Sequence, residues 1–215
     1  MVEIYDSHEQ SERVKGWLRE NGGAMALGLI LAFGGLYGFK QWQLWSDSRD
    51  QQASAEYHVM IELLDAGNLD AAVANYETLK ADHAKSSYTP LAALYMASAR
   101  VEAGQSDLAV PMLEYAMNEA TPQPVRTIAR ERLARVKAQL GDYSGALALL
   151  DGASDVTGFE ARFAEVRGDI HRQQGETSAA VEQYRKALEL MEEGAGDRDF
   201  LDMKIEALGE SAGGA

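Results

Sequence analysis

Four glycines, Gly67, Gly104, Gly141 and Gly175, recur at spacings of 37, 37 and 34 residues. Five residues after each stands an alanine (Ala72, Ala109, Ala146, Ala180), and nine after each a large residue (Tyr76, Leu113, Leu150, Tyr184). Twelve after each come Leu79, Ala116, Ala153 and Ala187. A register that returns four times demands one supersecondary unit repeated, and units that bury only part of their apolar surface alone must stack. In the last unit Ala180, Val181, Tyr184, Ala187, Leu188 and Met191 share one helical face, as do Phe159, Phe163, Val166 and Ile170 in the helix before. Gly175, between them, suits the left-handed conformation that ends a helix. Small residues at the alanine positions let antiparallel helices approach closely. The spacing thus predicts helix pairs over residues 52–192, interrupted between the second and third by Thr121, Pro122, Gln123 and Pro124. A last amphipathic stretch over 197–208 (Phe200, Leu201, Met203, Ile205, Leu208) caps the stack, and the tail 209–215 reads as disordered.

Ahead of the repeats, residues 22–39 carry no charge between Glu20 and Lys40. Such a run spans about 27 Å as a helix, close to the hydrocarbon core of a bilayer. Trp17 precedes it, and Tyr37, Phe39, Trp42 and Trp45 cluster at its far end, as interfacial aromatic belts do. A cleaved signal peptide would end in small residues; this run ends in Tyr37, Gly38, Phe39, Lys40. A buried core helix would show a polar face, and none is present. Residues 22–39 therefore read as a transmembrane helix, residues 1–21 as a short segment before it, and 40–51 as a juxtamembrane linker or helix. Arg13, Lys15 and Arg19 precede the span, while Lys40 and Arg49 follow it, a bias toward a cytoplasmic N-terminus. Ala24, Gly28 and Ala32 lie four apart on nearly one face, and Gly34 and Gly38 form a GxxxG pair. Such surfaces let a second helix dock in lipid.

The glycine register resembles the tetratricopeptide repeat, in which a Gly-Asp-Tyr-type turn is followed by Ala, an aromatic and Ala. Gly141, Asp142 and Tyr143 match that turn. Seven residues before each turn glycine the pattern wants a small residue; Ala97, Ala134 and Gly168 comply, and Met60 does not. The aromatic usual near the start of each first helix is missing. The fold expected is all-α: one N-terminal transmembrane helix followed by an α-solenoid of about four divergent tetratricopeptide-like helix pairs.

No enzyme is expected. There is no cysteine for a thiolate, disulfide or lipid anchor, and His8, His58, His83 and His171 fall in no metal-ligand spacing. No nucleophile elbow, Walker loop or dinucleotide fingerprint occurs. The carboxylates, such as Glu182, Glu189, Glu192 and Glu193, read as solvated charge spread along helix faces. No cofactor is implied. A net charge of −14 argues against nucleic acid, and it serves solubility or steers a basic partner.

Glu3-Ile4-Tyr5, Val14-Lys15 and Glu20-Asn21-Gly22 lead into the apolar run; Arg132-Leu133-Ala134-Arg135-Val136 and Met203-Lys204-Ile205 come later. In this order they resemble the YfgM family, the ancillary subunit of the bacterial SecYEG translocon. The resemblance implies a single-pass inner-membrane protein with its repeats in the periplasm. It also implies association with the translocon and the membrane-bound chaperone PpiD, and the repeat groove would then hold a chaperone or a segment of a secretory client protein. The repeats alone fit equally a membrane-tethered scaffold for another envelope complex, in cell division or stress signalling.

Overall fold

The computed structural model describes residues 7–153, 156–191 and 198–209. The Glu3-Ile4-Tyr5 motif, Glu192, Glu193 and the tail beyond Gly209 lie outside the described residues. The chain divides into two compact units, Met1–Gln51 and Gln52–Ala215.

The first unit consists of the leading part of helix α1 (Ser7–Asp65), within which residues 40–51 also lie. Among the described residues this is the one helix long and apolar enough to cross a membrane. Leu27, Ile30, Phe33 and Leu36 are more than half exposed, which fits a surface made for lipid rather than for a protein core.

The second unit begins with the last turns of α1 and continues through α2 (Leu69–Asp82), α3 (Tyr88–Glu102), α4 (Ser106–Glu119), α5 (Gln123–Gln139), α6 (Tyr143–Asp151), α7 (Glu160–Gln173), α8 (Thr177–Leu190) and α9 (Arg198–Glu206). The helices pair as α1 with α2, α3 with α4, α5 with α6 and α7 with α8. Each pair turns at one of the register glycines, whose φ angles are +72°, +72°, +87° and +78° in chain order. An L side chain resists that conformation, and glycine does not. Each turn closes the same way: Gly175 N–H bonds to Arg172 O (3.0 Å) and Glu176 N–H to His171 O (2.9 Å), and the other three repeat both bonds. Two orphan carbonyls per helix end are thereby satisfied. Asn68 and Asp142 also cap the helix that follows, accepting from Ala71 N–H (3.3 Å) and Gly145 N–H (2.9 Å).

The stripe that follows each turn is buried: Ala72, Tyr76, Leu79; Ala109, Leu113, Ala116; Ala146, Leu150; Ala180, Tyr184, Ala187. Ala153 is only half-buried because α6 stops at Asp151, before Gly152, a poor helix former. Phe159 likewise stands at the N-cap of α7 rather than inside it. Pro122 and Pro124 flank the start of α5, where missing N–H groups cost nothing. Met60, Ala97, Ala134 and Gly168 are all buried, so the first repeat accommodates a large residue where the others hold small ones. A Cβ on Gly168 would lie 2.5 Å from the Tyr184 ring. Leu201 and Ile205 seal α9 onto α7 and α8, while Phe200 and Met203 on its other side are exposed. The odd-numbered helices touch one another as well as their pair partners: α3 meets α5, and α5 meets α7. They form one layer of the stack, and their shared face carries the site below.

Candidate binding groove on the inner helices

On α5 the side chains of Arg132, Arg135 and Gln139 recur at helical spacing, and on α7 Arg162, Val166, Asp169 and Gln173 do the same. Two cavities open along this layer. One, of about 430 Å³, has Ala97, Val101, Leu113 and Val136 as apolar lining and Glu131, Arg132, Arg135 and Arg162 as charged lining. The other, of about 490 Å³, includes Val166, Asp169, Arg172 and Lys204. Arg135 and Gln139 belong to both, so the cavities form a continuous groove.

An ionic network holds its base. Arg135 Nε donates to Glu131, whose side chain is 2% exposed, and Arg135 Nη1 donates to Asp169 at 3.0 Å. Lys204 Nζ, from α9, reaches Glu165 at 2.8 Å and Asp169 at 2.7 Å. The Tyr184 hydroxyl donates to Asp169 Oδ1 at 2.9 Å. Arg162 stands 3.4 Å from the other Glu131 oxygen. Burial disfavours the Arg135 charge, but the bond to Glu131 and the fields of Glu131, Asp169 and Glu165 outweigh it and raise its pKa further. Burial, then the Asp169 charge, push the Tyr184 hydroxyl up, so it stays a donor. The expectation that carboxylates lie spread on solvated faces is therefore corrected for Glu131 and Asp169. They are buried counter-charges joining α5, α7 and, through Lys204, α9. The cations that answer Asp169, Arg135 and Lys204, lie 34 and 35 residues away in the chain, beyond any local pattern.

The opposite end of the layer is aromatic. Tyr57, on the last turns of α1, lies 5.6 Å from Tyr88 and 6.0 Å from Tyr95, ring centre to ring centre. Burial, reinforced by the Tyr95 hydroxyl, pushes the Tyr57 hydroxyl up to about 12. Of the histidines, His171 pairs with Glu176 at 2.7 Å beside the last turn. Among the described residues no group of three or more His, Asp or Glu side chains is placed to hold a metal. Of the residues singled out from the sequence, Ala97 and Leu113 line the first cavity and Val166 and Ile170 the second, whereas the turn glycines and the alanines five residues after them line neither. On α1, a Cβ placed on Gly28, Gly34 or Gly38 meets nothing within 4 Å among the described residues.

A stack of antiparallel helix pairs turning at left-handed glycines, with one layer lining a groove, defines a tetratricopeptide-repeat scaffold. A family model described as a tetratricopeptide repeat-like domain matches residues 15–210. The chain is 30% identical over 187 residues to the ancillary SecYEG translocon subunit of Haemophilus influenzae, covering 87% of this chain and 91% of that one. To the ancillary SecYEG translocon subunit of Escherichia coli it is 30% identical over 180 residues, covering 83% and 86%. Among solved structures, MamA from Desulfovibrio magneticus RS-1 superimposes with a TM-score of 0.53 at 16% identity, over 73% of this chain and 89% of that one, a likeness of fold alone. The chain belongs to the tetratricopeptide-repeat family of ancillary SecYEG translocon subunits, the YfgM family.

Proposed function

We propose that this chain is a non-catalytic adaptor of the bacterial inner membrane, anchored by residues 22–39, that holds its repeats beside the SecYEG translocon on the exit side. There the groove engages the membrane-bound chaperone PpiD or a segment of an emerging secretory protein. The observation that carries this reading is the match to ancillary translocon subunits over more than four-fifths of both chains. The physical logic is confinement. A tethered groove meets nearby chains at an effective concentration on the order of millimolar, so weak contacts suffice. A net charge of −14 keeps the repeats soluble at that density.

The test is recovery of tagged full-length chain from membranes in mild detergent, with partners identified by mass spectrometry. Translocon subunits and PpiD are the expected partners, and crosslinks placed at Gly34 and Phe39 should reach translocon helices. Recovery of a division or stress-signalling complex in their place overturns the proposal.

A further inference from the structure

We infer that the groove between α3, α5 and α7 is a receptor for an acidic peptide segment that carries an apolar side chain between its carboxylates. The inference rests on the proposed adaptor reading and adds the chemistry of the bound segment. Three carboxylates face the network, Glu131, Glu165 and Asp169, and Arg135, Lys204 and Arg162 already answer them. Arg132 stands outside these pairs, as does Arg172, whose guanidinium also reaches the Tyr184 hydroxyl. Arg132 is exposed on the wall of the first cavity and has no ion-pair partner among the described residues; Arg172 lines the second. Arg162 is 60% exposed, and its contact to Glu131 leaves guanidinium donors facing outward. In a chain of net charge −14, a groove with surplus arginine is the place where an anionic segment is attracted rather than repelled.

The floor sets the second requirement. Ala97, Val101, Leu113 and Val136 leave a volume of about 430 Å³, ample for one Leu- or Phe-sized side chain. Planar guanidinium groups at the rim bind carboxylates in a two-pronged fashion that an ammonium cannot match. Glu102, on α3, is bonded to Ser98 at 3.3 Å and does not line the cavity. An apolar anchor set between carboxylates satisfies floor and rim together; a basic or purely apolar segment satisfies at most one.

The experiment uses full-length protein in detergent and a fluorescein-labelled peptide with one Leu set among Glu residues, compared with the same peptide bearing Gln for Glu. Anisotropy should show the acidic peptide binding at least tenfold tighter, with the advantage shrinking as salt rises. Arg132→Gln, which breaks no internal ion pair, should weaken it about tenfold, the usual scale for one charge-assisted bond. Arg132→Gln with Arg162→Gln should abolish the preference for Glu. Equal binding of the two peptides, or undiminished binding by Arg132→Gln, overturns the inference. So does a concentration-dependent dimer lost in Arg132→Gln, which would seat a second copy on the groove. Translocon recovery is measured on the same preparations. Its failure beside charge-selective peptide binding sinks the adaptor proposal and upholds this one; its success beside a charge-blind groove overturns this one alone.

Discussion

Gly168 and Asp142 show how much a single position carries. Gly168 faces the Tyr184 ring so closely that even a methyl group has no room. Gly168→Ala should therefore destabilise the protein by about 1–3 kcal/mol, the usual cost of overpacking, read as a lowered Tm. Asp142 bonds to the Gly145 N–H, to Lys137 and to Ser144, and these contacts hold its carboxyl below the usual value of 3.8. A depressed carboxylate contributes stability that is complete above the unfolded value and is lost as pH falls through the folded one. The Tm gap between wild type and Asp142→Ala should thus be constant from neutral pH to about 4 and shrink below 3.8, as thermal melts across that range would show. Both positions were legible in the sequence: Asp142 because a turn makes the same local demand each time it occurs, and Gly168 because the repeat wants a small residue seven positions before each turn glycine. Glu131 was not. Nothing nearby in the chain distinguishes a carboxylate answered by Arg135 and Arg162 from one facing water, since one of those arginines arrives on another helix.

At the scale of elements, α9 and the apolar part of α1 make opposite kinds of contact. α9 is held by Leu201 and Ile205 and by Lys204, whose side chain is 16% exposed between Glu165 and Asp169. Lys204→Met removes one of the two cations that answer Glu165 and Asp169 and leaves Arg135 facing both. It should cost on the order of 3 kcal/mol and raise amide exchange across 198–206 before the rest of the stack. The amphipathic spacing announced this helix, but its electrostatic fastening depends on residues 35 and 39 positions upstream. The apolar part of α1 carries Ala24, Gly28, Ala32, Gly34 and Gly38, and a Cβ on any of these three glycines meets open space among the described residues. If this surface docks on a translocon helix, Gly34→Ile with Gly38→Ile should keep membrane localisation and lose translocon recovery. Gly28→Ile should act likewise, and Leu29→Ile should be silent. Full recovery with all three glycines replaced would assign recruitment to the repeats.

For the whole molecule, the cores are shared across units. Ala146 is buried against Ala134 and Ala138 of α5 and Phe163 and Ile170 of α7. Ala146→Leu should therefore cost about 1–3 kcal/mol and loosen the neighbouring repeat too, seen as faster exchange in α7. Topology is the second test at this scale. Protease added to spheroplasts should digest residues 40–215 and spare the N-terminal tail, and protection of the repeats would reverse the orientation. Fold class followed from periodicity alone, whereas the groove did not, because it belongs to no repeat singly. The position of Lys204 has one more consequence, in the order of synthesis. A nascent chain halted before Arg198 has made Glu165, Asp169 and Tyr184 but not the cation that joins them. That repeat thus stays electrostatically incomplete until α9 leaves the ribosome, and a message truncated before it would yield a stack with an open end.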